Sequence, residues 1–312
     1  MVDVSVVIPT HNRAALVKAA IDSVLAQSRQ VREIIVVDDA STDDTRNLLA
    51  GYGSRIRVLH GDGKGAAEAR NRGMRAAQGK WIAFLDDDDV WVADKIERQM
   101  ALAEQAPDAR LIYCSDYAVD EALQVLYLRP AQPLHRGDVF DRLLIKNFIF
   151  TSCAVARRDA IEEAGYMDTA LRFAHDWDLW LKIAARYPVD FHPEPLVLYR
   201  QSASGCLTRD MRVSSRLEEM RTVLSRALQL RPPSPKVQRA ALFELERQSA
   251  STWLGQGNRA HAFQHTVRAI RHRPAQFEGY RLLAYCLTPE AVRHWGKRAL
   301  AGRGNRPAAP RD

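Results

Sequence analysis

The segment FLDDDDVW, residues 84 to 91, gathers four carboxylates, Asp86, Asp87, Asp88 and Asp89, directly behind an apolar run. Carboxylates this close repel, and each prefers its own hydration, so collecting them costs free energy unless a cation or a helix end compensates. If residues 81 to 85 form a strand that continues briefly, Asp86 and Asp88 project to one side and Asp87 and Asp89 to the other. A few hard oxygen ligands suit Mg²⁺ or Mn²⁺ held jointly with substrate phosphates. The competing account makes Asp88 or Asp89 the cap of a helix starting near Val92, with the other carboxylates favouring its dipole. Both can hold, with Asp89 as the cap and Asp88 on the metal.

Two further segments carry matching chemistry. GAAEARNRG, residues 65 to 73, sets Arg70 among small residues on a helix, where a guanidinium either holds a phosphate oxygen by forked donors or faces solvent. AHDWDLWLKI, residues 174 to 183, sets Asp176 beside Trp177 and Trp180. Partial desolvation raises a carboxylate's proton affinity toward that of a general base; the alternative role is helix N-cap.

Bringing these groups together requires a scaffold, and the intervening pattern supplies one. Val4 to Ile8 is a β-branched run interrupted only by Ser5 that reads as a buried strand, followed by Leu16, Ala19, Ala20, Val24 and Leu25 at helical spacing. Residues 34 to 37 form a second such run ending in Asp38 and Asp39, and Ser41-Thr42-Asp43-Asp44 suits a helix start. Residues 56 to 59 predict a third strand, 66 to 77 a helix and 81 to 85 a fourth strand. The alternation predicts an α/β fold with a parallel sheet, whose ligands bind beyond the carboxyl ends of the strands. Pro9-Thr10-His11-Asn12, Asp38–Asp39 and the acidic run all follow strand ends, so three polar clusters converge on one rim.

Downstream, residues 111 to 115 read as a strand, 143 to 150 as a helix-to-loop passage and 178 to 187 as an amphipathic helix. Beyond 210 the pattern is helical only, at 217–230, 237–255, 259–271 and 277–286, with RPPSP (231–235) as a linker. Part of it loosely resembles a tetratricopeptide-type hairpin but falls short of the three repeats an array needs. The expected organisation is therefore a domain over 1–210 (halves 1–110 and 111–210), a helical module over 211–300 and a disordered tail over 301–312.

The 46% hydrophobic and 27% charged content is that of a soluble globular protein. The first residues do not read as a signal peptide, and no apolar run reaches the roughly 20 residues that cross a bilayer, so the expected location is the cytosol. Four dispersed cysteines, Cys114, Cys153, Cys206 and Cys286, exclude a zinc site or a disulfide scaffold and read as reduced and buried. Net charge is +7 but divided: residues 1–210 hold 26 Lys+Arg against 31 Asp+Glu, and residues 211–312 hold 19 against 7. The basic half suits either an anionic surface, lipid or nucleic acid, or an arginine-rich solvated helical face.

The stretches VSVVIPTHNRAALVKAAIDSVLAQS, IIVVDDASTDDT, GAAEARNRG, WIAFLDDDDVW, EEAGYMDTALRFAHDWDLWLKIA and PLVLYR together resemble family 2 glycosyltransferases of the GT-A fold, of bacterial cell-surface polysaccharide type, in order and spacing over about two thirds of the chain. The resemblance implies a GT-A-type nucleotide-sugar-binding sheet with flanking helices, here followed by an all-α C-terminal module. It places Pro9 and Thr10 at the nucleotide-contact loop, Asp39 on the donor's base, Asp86 at the donor sugar or ribose with Asp87 beside it, and Asp88 on Mn²⁺ or Mg²⁺. Arg70 would lie near the diphosphate, Arg200 would close over it, and Asp176 would be the base for the acceptor hydroxyl. His175 stands where relatives often carry Glu, and Gln201-Ser202 where many carry a histidine. The implied reaction is inverting, metal-dependent transfer from a nucleotide sugar, a UDP-sugar first and dTDP- or GDP-sugars next, to a glycan or lipid-linked saccharide. The basic C-terminal half would make peripheral membrane contact, with no nucleic acid as partner.

Rival readings fare worse. A nucleotidyltransferase would want a glycine-rich phosphate loop after the first strand, and PTHNR has no glycine; a dehydrogenase lacks its G-x-G-x-x-G for the same reason. A degenerate scaffold is opposed by the intact Asp39, Asp86, Asp88 and Asp176.

Overall fold

A computed structural model describes residues 1–129, 134–201 and 213–288. Strands β1 (Val2–Thr10), β2 (Val31–Asp38), β3 (Arg57–His60) and β4 (Trp81–Phe84) alternate with helices α1 (Ala14–Leu25), α2 (Thr45–Ala50) and α3 (Ala66–Ala76). They pair in parallel in the order β3-β2-β1-β4. Their β-branched runs are buried on both faces, as crossover helices require: Val4, Val6, Val7 and Ile8 of β1 and Ile35, Val36 and Val37 of β2 are fully covered.

After β4 come the short β5 (Val90–Trp91), α4 (Lys95–Gln105), β6 (Leu111–Val119), β7 (Val125–Arg129), α5 (Phe140–Ile145), β8 (Val155–Arg157), α6 (Arg158–Ala164), α7 (His175–Ala184) and β9 (Val189–Arg200). The sheet continues as β4-β8-β6-β9-β5, with β7 pairing β6 to make nine strands. β8 runs antiparallel to both β4 and β6, so the sheet is mixed where the sequence predicted only its parallel half.

The order reverses beside β1: β2 and β3 lie on one side and the chain returns to place β4 on the other. That switch point lies at the carboxyl ends of β1 and β4, where open α/β sheets receive ligands. Register aligns Thr10 with Asp38 and Asp38 with His60, so the strand ends form one rim.

The chain divides into compact units over 1–234 and 235–312. Helix α8 (Val213–Leu230) packs on α7 within the first unit. The second unit contains α9 (Pro235–Gly255), α10 (Arg259–His272) and α11 (Phe277–Leu287), packed on one another. Cys114, Cys153 and Cys286 are unpaired and buried; Cys206, Ser202 and the expected tail lie outside the described residues. Among the described residues, no helix is long and apolar enough to cross a membrane.

Candidate active site

The acidic run does not continue β4. That strand ends at Phe84, and the chain turns at once, the Asp89 N–H donating to the Asp86 carbonyl at 3.1 Å, in order to reach β5 alongside β9. The turn replaces the expected alternation. Carboxylate oxygens of Asp86, Asp88 and Asp89 all lie within 4.8 Å of one another, while Asp87 points into the rim. There Asp87 accepts from Thr10 Oγ1 at 2.8 Å and from Arg13 at 2.9 Å. The helix-cap account of Asp88 and Asp89 fails: α4 starts at Lys95, with Asp94 in the cap position.

Asp87, Asp88 and Asp89 bear the signature of crowded like charge. Burial pushes Asp87 up to about 6 against the pull of Arg13. Burial and the neighbouring Asp86 raise Asp88, and burial with Asp88 raises Asp89 well above the carboxylate range. Such a cluster is satisfied by a divalent cation, and the donors, all carboxylate oxygen, fit Mn²⁺ or Mg²⁺. Asp89 is already engaged, accepting from Ser152 Oγ at 2.5 Å and from the Arg200 N–H at 3.1 Å. Both Asp89 oxygens are thus taken, whereas Asp86 is held through Oδ1 by Arg70 and Asp88 through Oδ2 by Arg13, one oxygen each.

Two guanidiniums hold the run from either side. Arg13, absent from the sequence reading, bridges Asp87 and Asp88, the latter at 3.0 Å. Arg70, 5% exposed, donates to Asp86 Oδ1 and shares a 2.9 Å contact with His175 Nε2. Burial works against its charge, but Asp86 holds it firmly protonated. Its Nε is buried without a hydrogen-bond partner, a donor left over beside the acidic turn. Burial and the Arg70 charge press His175 down to about 3, so it meets that guanidinium as a neutral acceptor. Arg70 reaches this depth because α3 comes very close to the sheet: a Cβ on Gly73, one turn later, would stand 2.5 Å from Val7 Cγ1.

Asp176 lies in the first turn of α7, which begins earlier than the expected start at 178, and the cap position is Ala174, so the N-cap alternative for Asp176 fails. Trp180 of the same helix packs edge-on against Phe84, the last residue of β4, with ring centroids 5.4 Å apart. This contact ties the helix carrying Asp176 to the strand delivering Asp86. Asp176 accepts from the Trp177 N–H at 2.7 Å and lies 3.4 Å from Thr151 Oγ1 and 3.5 Å from Asn147 Nδ2. Burial pushes it up to about 6, the poise of a general base.

Three further expected residues have the following places. Pro9 is within β1, and only Thr10 closes that strand. Both carboxylate oxygens of Asp39 accept backbone N–H groups of the β3–α3 loop, Gly63 at 2.9 Å and Gly65 at 2.7 Å, so Asp39 shapes that loop. Gly63 and Gly65 have φ of 70° and 93°, and a Cβ on Gly61 would lie 2.3 Å from Asp39 Oδ1. The Arg200 side chain donates to the carbonyls of Asp88, at 3.0 Å, and Glu121, clamping the acidic turn to the β6–β7 hairpin. Ser152 and Glu219 escaped the sequence reading, since no motif announces a residue that acts by capping its neighbours.

Residues 5–165 match the model of glycosyl transferase family 2, just over half of the chain. The chain belongs to that family. An uncharacterized glycosyltransferase of Rickettsia prowazekii is 32% identical over 205 residues, covering 64% of this chain and 64% of that relative. The match thus spans slightly under two thirds of the relative's length. The UDP-Glc:alpha-D-GlcNAc-diphosphoundecaprenol beta-1,3-glucosyltransferase of Escherichia coli is 44% identical over 101 residues, covering 32% of this chain and 40% of the relative. Among solved structures, S. aureus TarS 1-349 has a TM-score of 0.67 at 14% identity, covering 91% of this chain and 90% of that one. The mannosyltransferase PcManGT from Pyrobaculum calidifontis, in complex with GDP-Man and Mn²⁺, has a TM-score of 0.55 at 19% identity over 90% of this chain and 85% of that one. At these identities the structures show the shared GT-A fold, the mixed sheet with flanking helices described above.

Proposed function

We propose that this chain transfers a sugar, with inversion, from a nucleoside-diphosphate sugar to a hydroxyl of a glycan or lipid-linked saccharide in cell-surface polysaccharide synthesis. The observation that carries the reading is the acidic turn at the switch point, three carboxylates within 4.8 Å beside a buried arginine and a buried Asp176. UDP-sugars are the preferred donor class, in line with the name of the E. coli relative, and that name also supports a polyprenyl-linked acceptor at a membrane face.

Asp86 and Asp88 would hold Mn²⁺ or Mg²⁺, which supplies positive charge to the departing diphosphate. Arg70 contributes further charge there, through the Nε donor that has no partner. Asp176, ionised, takes the acceptor's hydroxyl proton as that oxygen attacks the anomeric carbon opposite the departing nucleoside diphosphate. His175, uncharged, keeps Arg70 oriented without competing for its anion.

The test is release of labelled sugar from a panel of nucleotide sugars with Mn²⁺, to water or to added saccharide acceptors. Asp88→Ala is expected to lose turnover and metal-dependent donor binding together. Asp176→Asn is expected to retain donor binding and lose turnover by about 10²–10⁴-fold; undiminished turnover in Asp176→Asn would remove the base assignment.

A further inference from the structure

The second unit holds a cluster of the opposite sign. Lys236, Arg239, His272 and Arg273, with Pro274, Ala275 and Gln276, line a cleft of about 250 Å³ between the start of α9 and the α10–α11 connection. Among the described residues, none of these four basic side chains forms an ion pair. Described residues 235–288 carry eight Lys+Arg and only three Asp+Glu, and the three acids are committed elsewhere. Glu244 pairs with Arg247 at 2.6 Å, Glu246 with His265 at 2.6 Å, and Glu278 acts on Arg247.

Helix electrostatics account for half the cluster and not for the rest. His272 and Arg273 close α10, where the negative end of a helix favours cations. Lys236 and Arg239 stand in the first turns of the 21-residue α9, where the positive end opposes them, and the first turn contains no acidic residue. The walls are firm. Arg273 stacks over Phe243 of α9 at 5.9 Å, and Gly279 lets α11 pack so closely that a Cβ there would meet Ile270 at 2.8 Å.

We propose that this cleft binds a multiply charged phosphate oxyanion, a diphosphate or phosphomonoester. Arginine forks and a lysine point charge are the side chains that recognise such groups, and the volume suits a small anion rather than a drug-sized ligand. The anion brings the counter-charge that the first turn of α9 lacks. It can come from a soluble diphosphate or from a lipid headgroup; both present the same oxygens.

Binding to the full chain is measured with pyrophosphate by calorimetry in EDTA, and by sedimentation with phosphatidylcholine vesicles with and without phosphatidic acid, whose headgroup is a phosphomonoester. The proteins compared are the natural chain, Lys236→Ala/Arg239→Ala, and the control Arg268→Ala/Arg281→Ala, which removes equal charge from exposed positions outside the cleft. The cleft variant is expected to lose about tenfold or more in affinity for at least one probe, and the control about twofold or less. Loss with pyrophosphate identifies a soluble source, and loss with anionic vesicles alone identifies a headgroup. Equal losses in both variants, or no loss in the cleft variant, would overturn the proposal. Melting temperatures of the variants check that they fold.

Discussion

Asp176 is shaped by two opposing demands. Its burial raises the proton affinity to about 6, so transfer depends on the ionised fraction and should fall about tenfold per pH unit below that value. The same shift acts on stability with a definite sign. A carboxyl whose folded-state pKa lies above its ordinary 3.8 favours the fold below that value, and the contribution is lost as pH rises through about 6. At pH 7 the folded protein therefore carries an ionised group it would hold more easily protonated. Asp176→Asn, which removes that charge, should raise the melting temperature at pH 7 by a few degrees, corresponding to about 1–3 kcal/mol, while lowering transfer by about 10²–10⁴-fold. A calorimetric scan of both proteins at pH 5 and pH 7 checks this: the gap should narrow at pH 5, and a variant that melts lower at pH 7 would contradict the account.

Asp176 is placed by its helix, and the helix by a residue far along the chain. The N–H groups of Arg172, Phe173 and Ala174, which lead into α7, donate to the Glu219 carboxylate of α8 at 3.0, 2.7 and 3.1 Å. Glu219 thus fixes the turn that leads into α7 and takes the N–H of the residue at its cap position, Ala174. Glu219→Ala should cost about 1–3 kcal/mol of stability and lower kcat more than KM, because the base shifts while the donor site stays intact; thermal melts with steady-state kinetics measure both. The strands were legible because β-branched runs buried on both faces permit little else, and their ends placed Thr10, Asp39 and Asp86 on one rim. Less legible was whatever depended on partners distant in sequence. The acidic run bends because β5 must join β9, and the turn leading into α7 is held by Glu219 from α8. Arg13 and Ser152 matter only through the carboxylates they meet. None of these carries a local periodicity or a motif.

At the scale of the molecule, the change in charge near residue 210 was visible in composition, but the compact units divide at 234 because α8 belongs with α7. Charge composition records surface chemistry, and packing decides membership. The larger unit draws every group of the proposed chemistry to one switch point, with acids from β4, a guanidinium from α3 and a base from α7. Titration of Mn²⁺ into the full chain with UDP present tests that convergence most directly. The account predicts saturable uptake near one ion per chain that Asp88→Ala abolishes and that Asp176→Asn leaves intact. Uptake unchanged by Asp86→Ala and Asp88→Ala, or none in the natural chain with any nucleoside diphosphate, would contradict it.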